Sequence, residues 1–443
     1  METKNQFQYL EIQEWSKTHL NYFEEDEKYF FNEDKPFFNT LNYEKISHEA
    51  LIGSNQFVGI LKLPGNKDTP TILKIEPKTA SKYMDLLRFA QKIKCNDDKS
   101  FFYYDINERV DVEDGNVFFE IIANLFIVEL KKILQKGFYK EYVEKEDNLN
   151  FLKGKLQITK QITKNFIKPK FNCKYYDLTM DNFTNQMIIY SALKVTKFIH
   201  THNDENKKLK SELLKYVDLM KDEITLKDVI SPVDFKNIHL SRKNDYYEEI
   251  INFSKIIITE SFFESTNKQK SRCCNFLIDM NVIFERVLFG LIQNIIKNSI
   301  YKASDQSYYH MTELIEGKKI KIIPDITLFE NNKEFAVVDA KYKSKLGNSE
   351  YYQIITYSLA LKLKENNLKY AILVNFEENF NETNLKANAK IKISKLKQDL
   401  GDIKLLQISL NLNNILNKNY IEILELELKK ILLENIDEFQ DSL

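Results

Sequence analysis

Residues 319–341 read KIKIIPDITLFENNKEFAVVDAK, and the interpretation of the whole chain starts from them. Their composition predicts two short strands joined by an Asn-rich turn at about 330–333. Three charged residues, Asp325, Asp339 and Lys341, interrupt the apolar runs 322–329 and 335–341 within this stretch. Charges in a buried sheet are costly unless they are paired or bind a metal. The stretch therefore predicts a cluster of charges inside a sheet.

The three charged residues suit metal-assisted hydrolysis of a phosphodiester. Side chains of a strand alternate between faces, so Asp339 and Lys341 point the same way, and Asp325 on the neighbouring strand reaches the same place. Two adjacent carboxylates are tolerated when a divalent cation lies between them, and oxygen ligands favour Mg²⁺ over zinc. Lys341 would orient or deprotonate the attacking water, or stabilise charge on the phosphate. The alternative is an exposed hairpin with a surface salt bridge.

Two further residues are candidates for the same site. Glu285 lies in an apolar segment that predicts a helix over about 275–298, and a partly buried Glu needs a partner, either a structural one or the metal. Gln353 shares a helix face with Tyr357 in a helix expected at about 349–365. Gln353 would contact a phosphate or a metal-bound water, or else it is an ordinary exposed Gln beside core tyrosines.

Composition places the chain among folded globular proteins. Its 443 residues, 43% of them hydrophobic, allow two or three domains with their own cores. Four Cys without a C-x-x-C pair argue against a zinc site. The N-terminus lacks a signal-peptide pattern, and the most apolar segment, about 282–296, is broken by charges and too short to span a membrane. We expect a cytoplasmic protein.

The chain predicts three domains of mixed α/β and α+β class. An N-terminal α+β domain covers residues 1–98, with strands at 57–63 and 71–78 and a helix at about 80–94. Residues 1–45 are aromatic and acidic, which fits a docking surface or a packed helical pair.

The middle domain, residues 99–265, is expected to be mainly helical. Helices are predicted at 116–136, 183–202, 207–221 and 244–264, with an irregular or strand-containing insertion at about 149–180. Residues 131–170 contain more Lys than acidic residues, and Lys153, Lys155, Lys160 and Lys164 are candidate DNA contacts. A solvated Lys-rich surface is an equal alternative.

The last domain, residues 266–443, has its elements in the order of a PD-(D/E)xK restriction-endonuclease-like core. The acid-bearing helix precedes the hairpin. The helix at 349–365 and an aliphatic strand at 369–376 follow it. A strand pair at about 388–394 and 403–411 and a helix at about 416–437 complete the domain.

The chain resembles the McrC family, the nuclease subunits of McrBC-type, 5-methylcytosine-specific restriction systems. The resemblance is clearest between about 115 and 376. The matching stretches are KGFYKEYV (136–143), LKGKL (152–156), FNCKYYDLT (171–179) with Asp181 and Asn185, FLIDMN (276–281) with Phe284 and Glu285, Pro324-Asp325, DAKYK (339–343), and Tyr352-Gln353 with Tyr357.

The resemblance implies an Mg²⁺-dependent DNA endonuclease that works with an McrB-like AAA+ GTPase on methylated or otherwise modified double-stranded DNA. It also implies that the N-terminal part contacts and stimulates the GTPase. The sequence has no G-x-x-x-x-G-K-[ST] loop, so GTP would act only through the partner. The alternatives are a non-catalytic DNA-binding adaptor or GTPase activator built on a nuclease fold, and a structural helical protein with no role on nucleic acid.

Overall fold

The computed structural model describes most of the chain in separate segments. They are residues 8–21, 41–46, 49–63, 71–77, 83–90, 93, 102–112, 115–165, 169–199, 204–259, 271–297, 299–313, 319–364, 368–377, 392–395, 403–412, 415 and 417–434. The chain forms two compact units, one made of Met1–Val110 with Asn275–Leu443 and one made of Asp111–Cys274. The second unit is therefore an insertion in the sequence of the first.

The N-terminal part of the first unit is built from two sheets and a helix. The bounds are β1 Gln8–Gln13, β2 Lys17–Asn21, β3 Leu41–Ile46, β4 Glu49–Ser54, β5 Phe57–Leu63, β6 Thr71–Glu76, α1 Tyr83–Ala90 and β7 Phe102–Val112. Strands β2, β4 and β3 form an antiparallel sheet in that order. A five-stranded sheet has the order β1-β6-β5-β11-β7, in which β11 is Ser271–Asp279.

The predicted strand pair and helix of this region are confirmed, since β5 pairs antiparallel with β6 and α1 follows. The helical pair considered for residues 1–45 is wrong for 8–13, 17–21 and 41–46, which are strands. Aromatic and β-branched residues favour strands as readily as buried helices, so composition did not separate the two. Residues 22–40 lie outside the described segments.

The inserted unit combines helices with one small sheet, as predicted for the middle of the chain. Its bounds are α2 Gly115–Lys136, β8 Glu141–Leu149, β9 Lys155–Leu156, α3 Ile158–Asn165, β10 Phe171–Thr179, α4 Phe183–Phe198, α5 Asp204–Met220 and α6 Glu248–Thr259, with 3₁₀ turns at Pro232–Asn237 and Asp245–Tyr247. Gly137 follows α2 with φ +92° and donates its N–H to the Ile133 carbonyl at 2.8 Å. This left-handed glycine ends the helix.

The helix predicted over 275–298 is partly wrong. Residues 275–279 belong to β11, which pairs antiparallel with β5, and α7 extends over Met280–Ile296. The Asp279 side chain caps α7 by accepting hydrogen bonds from the N–H groups of Asn281 and Val282. A short apolar run such as 276–278 does not reveal by its periodicity whether it is a strand or a helix.

The C-terminal part of the first unit is organised around a six-stranded sheet in the order β12-β15-β16-β17-β19-β18. Its elements are β12 Tyr301–Asp305, β13 Tyr309–Glu313, β14 Lys319–Ile322, β15 Ile326–Glu330, β16 Lys333–Lys341, α8 Asn348–Lys364, β17 Tyr370–Phe376, β18 Lys392–Lys395, β19 Lys404–Leu410 and α9 Lys418–Lys429, which continues as a π-helical turn at Lys430–Glu434. Strand β16 pairs antiparallel with β15 and parallel with β17, which pairs parallel with β19. The helices and strands predicted after the hairpin are confirmed within the described residues.

The hairpin has its predicted turn, but its first strand is divided. Asn331 and Asn332 have φ values of +53° and +63°, as a two-residue hairpin turn requires. Strand β14 pairs with β13 in a separate sheet, and β15 begins only at Ile326. Pro324 lacks a backbone N–H and cannot donate to a ladder, which accounts for the break at 323–325.

The sheet and α8 enclose the core that holds the hairpin in place. Val337, Val338, Ile372 and Ile408 are fully or almost fully buried on three adjacent strands. Strand β16, which carries two of the candidate residues, is thereby rigidly packed.

The two compact units group residues 1–110 with the C-terminal region, where the sequence predicted three successive domains with boundaries at 98 and 265. The reason is the pairing of β11 with β5, which adds a strand from beyond the insertion to the N-terminal sheet.

Among the described residues, we find no helix whose length and apolar character would let it cross a membrane.

Candidate functional site

Asp325 and Asp339 lie beside each other at one end of the hairpin. The strand register pairs Ile326 with Val338, so Asp325 immediately precedes β15 and stands opposite the Asp339 end of β16. The Asp325 Oδ2 accepts a hydrogen bond from the Ala340 N–H at 2.8 Å. Asp339 is completely buried, with 0% of its surface exposed. The two carboxylates therefore meet in the sheet, as predicted.

Lys341 completes the predicted group. It lies two residues after Asp339 on the same strand, and its Nζ is 2.8 Å from Asp339 Oδ2. Its side chain is 19% exposed, so the ammonium reaches the edge of the site while Asp339 lies beneath it. Burial works to lower the pKa of Lys341, but the charges of Asp339 and Asp325 outweigh it and raise the pKa. Lys341 holds its proton here.

The carboxylates of Asp325 and Asp339 are crowded together, and each disfavours the negative charge of the other. The pKa of Asp339 is raised from 3.8 to about 7, because burial and the nearby charge of Asp325 raise it by more than Lys341 lowers it. The Oδ1 of Asp339 receives no hydrogen bond from a donor group in the described residues. A single lysine does not compensate for two adjacent carboxylates, so the pair has room for a further positive charge.

Glu285 is connected to Asp325 through a residue that sequence reasoning missed. The Nε2 of Gln306 donates to Glu285 Oε2 at 3.4 Å, and the backbone N–H of Gln306 donates to the Asp325 carbonyl at 3.0 Å. Gln306 has φ +48°, a left-handed conformation that is uncommon for residues other than glycine. No pattern in the sequence marks it, because both contacts depend on how β12 and α7 pack.

The helix after the hairpin contributes Gln353 and Tyr357. The Nε2 of Gln353 donates to the Tyr357 hydroxyl at 2.6 Å, across one helical turn. Burial raises the pKa of Tyr357; the charges of Asp339 and Asp325 also raise it, while Gln353 and Lys341 oppose the rise. Tyr357 is thus close enough to the carboxylates to sense their charge, and Gln353 reaches the site through it.

The donor set fits a hard divalent cation. All candidate ligands are carboxylate oxygens, the kind that Mg²⁺ prefers, and Mg²⁺ commonly uses one or two carboxylates with water in its other positions. Within the described residues, no three His, Cys, Asp or Glu side chains form a ready cluster for a metal. The pair Asp325 and Asp339 therefore fits a water-rich Mg²⁺ site rather than a closed structural one.

The four lysines proposed for DNA contact lie in the inserted unit and differ in their surroundings. Lys153 Nζ is 3.2 Å from Asp177 Oδ1 and 4.0 Å from the centre of the Tyr175 ring, and Lys160 is ion-paired with Glu146. Lys155 and Lys164 are exposed and have no ion pair with another described residue. Nothing here joins the four lysines into one site.

Comparisons with known proteins point to one family. The family model described as "McrBC 5-methylcytosine restriction system component" matches residues 52–374. A search of curated proteins gives no match.

Solved structures give distant likenesses. A chain of a refined half-complex from the tetradecameric assembly of Thermococcus gammatolerans McrB AAA+ hexamers with bound McrC is 16% identical, with 96% of this chain and 100% of that chain covered and a TM-score of 0.46. A cryo-EM structure of the T. gammatolerans McrBC complex gives 18% identity, coverage of 65% and 88%, and a TM-score of 0.31. A crystal structure of protein VC1899 from Vibrio cholerae is 14% identical, with 56% of this chain and 52% of that chain covered and a TM-score of 0.22.

Proposed function

The chain belongs to the McrBC family of 5-methylcytosine restriction system components, and we propose that it is the DNA endonuclease subunit of such a system. It cleaves phosphodiester bonds with Mg²⁺ at the Asp325–Asp339–Lys341 site, on a PD-(D/E)xK core, and acts in the cytoplasm. The observation that carries the proposal is the meeting of two carboxylates, one of them fully buried, and one lysine at the end of a single hairpin.

Asp325 and Asp339 would hold the metal, with Glu285 as a further candidate ligand through a water molecule. When bound, Mg²⁺ polarises the phosphate and lowers the pKa of an attacking water. The backbone N–H of Ala340 and the amide of Gln306 hold the carboxylates of Asp325 and Glu285 in place. Lys341 keeps its proton, which favours a role in stabilising phosphate charge or orienting the water over a role as base.

Gln353 and Tyr357 form the wall of the site on α8. Their mutual hydrogen bond leaves the Gln353 side-chain carbonyl oxygen, its second amide hydrogen and the Tyr357 hydroxyl hydrogen available, so the pair can offer an acceptor and two donors. These groups would orient a water molecule or a phosphate oxygen beside the carboxylates.

The partner we propose is an McrB-like AAA+ GTPase. This chain has no phosphate-binding G-x-x-x-x-G-K-[ST] loop, so GTP binding and translocation need another subunit. Recognition of the modified base would also reside largely in the partner. This chain then needs mainly backbone contacts, for which Lys155 and Lys164, and less directly Lys153 and Lys160, are candidates.

Cleavage assays with matched charge variants test the proposal. We expect Asp339→Asn and Lys341→Ala, each assembled with the GTPase partner and modified DNA in Mg²⁺, to lose at least about 100-fold in cleavage rate. GTPase stimulation should be unchanged. Glu330→Gln and Lys369→Ala are controls, because these residues form a similar pair at the exposed end of the same sheet, 3.4 Å apart.

The controls should cut DNA at the wild-type rate. If Asp339→Asn still cuts DNA, the site assignment is wrong. If the wild-type chain stimulates the GTPase and binds DNA without cutting it, the chain is a non-catalytic adaptor.

A further inference from the structure

Trp15 is the only tryptophan of the chain and occupies an unusual position. It lies in the tight turn between β1 and β2, with φ +61° and 39% of its surface exposed. A left-handed conformation is strained for a bulky side chain, and such strain persists only where the surroundings enforce it.

Hydrogen bonds enforce this conformation from both sides of the turn. Trp15 donates its N–H to the Asn55 carbonyl at 3.0 Å, and Ser16 donates its N–H to the Gln13 carbonyl at 3.2 Å. The Ser54 N–H donates to the Ser16 carbonyl at 2.9 Å, and the Ser54 hydroxyl donates to the Gln13 carbonyl at 2.8 Å. These hydrogen bonds fix the conformation of the turn, and the large aromatic ring of Trp15 is held partly exposed to solvent.

The ring lies against the segment that follows the candidate catalytic lysine. Lys343 Nζ is 5.2 Å from the centre of the Trp15 ring. Lys343 is two residues after Lys341, donates its backbone N–H to the Lys341 carbonyl at 2.7 Å, and pairs through Nζ with Glu350 at 2.7 Å. Trp15 and the candidate site thus share a short, hydrogen-bonded piece of backbone within the first unit.

A purely structural role explains these features poorly. A tryptophan that only covers the stem of Lys343 gains nothing from a strained backbone and loses stabilisation from its exposed part. A rigid, half-exposed ring beside a cation has the properties of a stacking platform for single-stranded or unstacked nucleic acid.

We propose that Trp15 contacts the DNA strand beside the cleavage site, by stacking on an unstacked base or a deoxyribose ring. The proposal rests on the nuclease function proposed above and adds to it a DNA contact from the N-terminal sheet. Lys343 holds the ring in place from the protein side, and the exposed part of the ring faces the nucleic acid.

Trp15 fluorescence tests the contact directly, because no other tryptophan contributes. The full chain carrying Asp339→Asn, which prevents cutting, is titrated with a short DNA duplex and with the same strand alone, while binding is followed by anisotropy of a dye on the DNA. We expect tryptophan emission to change in parallel with binding, and more with the single strand. Binding without any change in emission would overturn the proposal.

Substitutions separate stacking from a structural role. Glycine accepts the left-handed φ, so Trp15→Gly should fold, bind DNA about tenfold more weakly and keep the wild-type dependence of affinity on salt. Trp15→Phe should regain most of the affinity. Tyr103→Ala is the matched control, since Tyr103 is an aromatic residue of the same unit with a similar exposure of 37%. The Tyr103→Ala variant should bind DNA with the wild-type affinity.

Two results contradict the stacking contact. One is wild-type affinity in Trp15→Gly. The other is a reduced salt dependence in that variant, which would mean that phosphate contacts were lost with the loop. If the wild-type chain with its partner still cleaves DNA, either result contradicts only the Trp15 contact and not the nuclease function. If the wild-type chain with its partner does not cleave DNA, both proposals are wrong.

Discussion

At the scale of residues, strand alternation predicted that Asp339 and Lys341 share a face, and the structure places Nζ of Lys341 2.8 Å from Asp339. The meeting of Asp325 with Asp339 was also predictable, because a hairpin brings its two strands together. The place of Gln306 beside the site was not predictable, since its left-handed φ and its contacts to Glu285 and Asp325 arise from the packing of elements distant in sequence. The catalytic roles of these residues remain proposals.

Gln306→Gly tests whether its amide matters to the site. Glycine adopts φ +48° without strain, so we expect little change in melting temperature, but the loss of the hydrogen bond to Glu285 should lower DNA cleavage by roughly 10-fold and raise the Mg²⁺ concentration needed for half-maximal activity. Asn332→Gly is the control, since Asn332 is also left-handed, with φ +63°, but lies at the hairpin turn. Equal activity of the two variants would show that Gln306 has no part in the site.

At the scale of elements, helices and strands with strong periodicity were predictable and short apolar runs were not. Helix α8 was placed to within one residue at each end. Local pattern predicts a helix for residues 276–278, because the strand β5 that pairs with them lies more than two hundred residues earlier. Pro324 was the available signal that the first strand of the hairpin is divided.

The start of α8 carries a testable ion pair. Glu350 accepts the Gly347 N–H at 2.8 Å and pairs with Lys343 at 2.7 Å, as an acid in the first turn of a helix should. Burial works to raise the pKa of Glu350, but Lys343 and the Gly347 N–H outweigh it and lower the pKa from 4.5 to about 2. A lowered folded-state pKa means that the stabilisation is complete above the unfolded value of 4.5 and is lost as pH falls towards 2.

Glu350→Gln should therefore lower the free energy of unfolding at neutral pH by about 1.5–3 kcal/mol. Its difference from wild type should shrink below about pH 4.5, because the unfolded wild-type chain then binds a proton at Glu350 that the folded chain, with its lower pKa, does not. Thermal unfolding followed by circular dichroism between neutral pH and about pH 3 measures this. Glu422→Gln, at an exposed pair 3.9 Å from Lys418, should differ little from wild type at any pH. A constant deficit in Glu350→Gln would contradict the assigned pKa.

At the scale of the whole molecule, the sequence predicted a mixed fold with a helical middle but not its grouping into two units. Long-range strand pairing is invisible to local patterns, and the β5–β11 pair joins residues on either side of an insertion of more than one hundred and fifty residues. Removing residues 1–95 would delete β5 and leave β11 without that neighbour, so partner docking is better tested with surface substitutions than with a truncation.

Iron-directed cleavage of the protein backbone tests whether Asp325 and Asp339 hold a divalent cation. Fe²⁺ bound in place of Mg²⁺, treated with peroxide and ascorbate, generates hydroxyl radicals that cut the polypeptide nearest the metal, and mass spectrometry locates the cuts. We predict cuts close to residues 325 and 339 that excess Mg²⁺ suppresses and that Asp339→Asn abolishes. Cuts that are unchanged in Asp339→Asn, or that lie away from both aspartates, would mean that these two residues do not hold the metal.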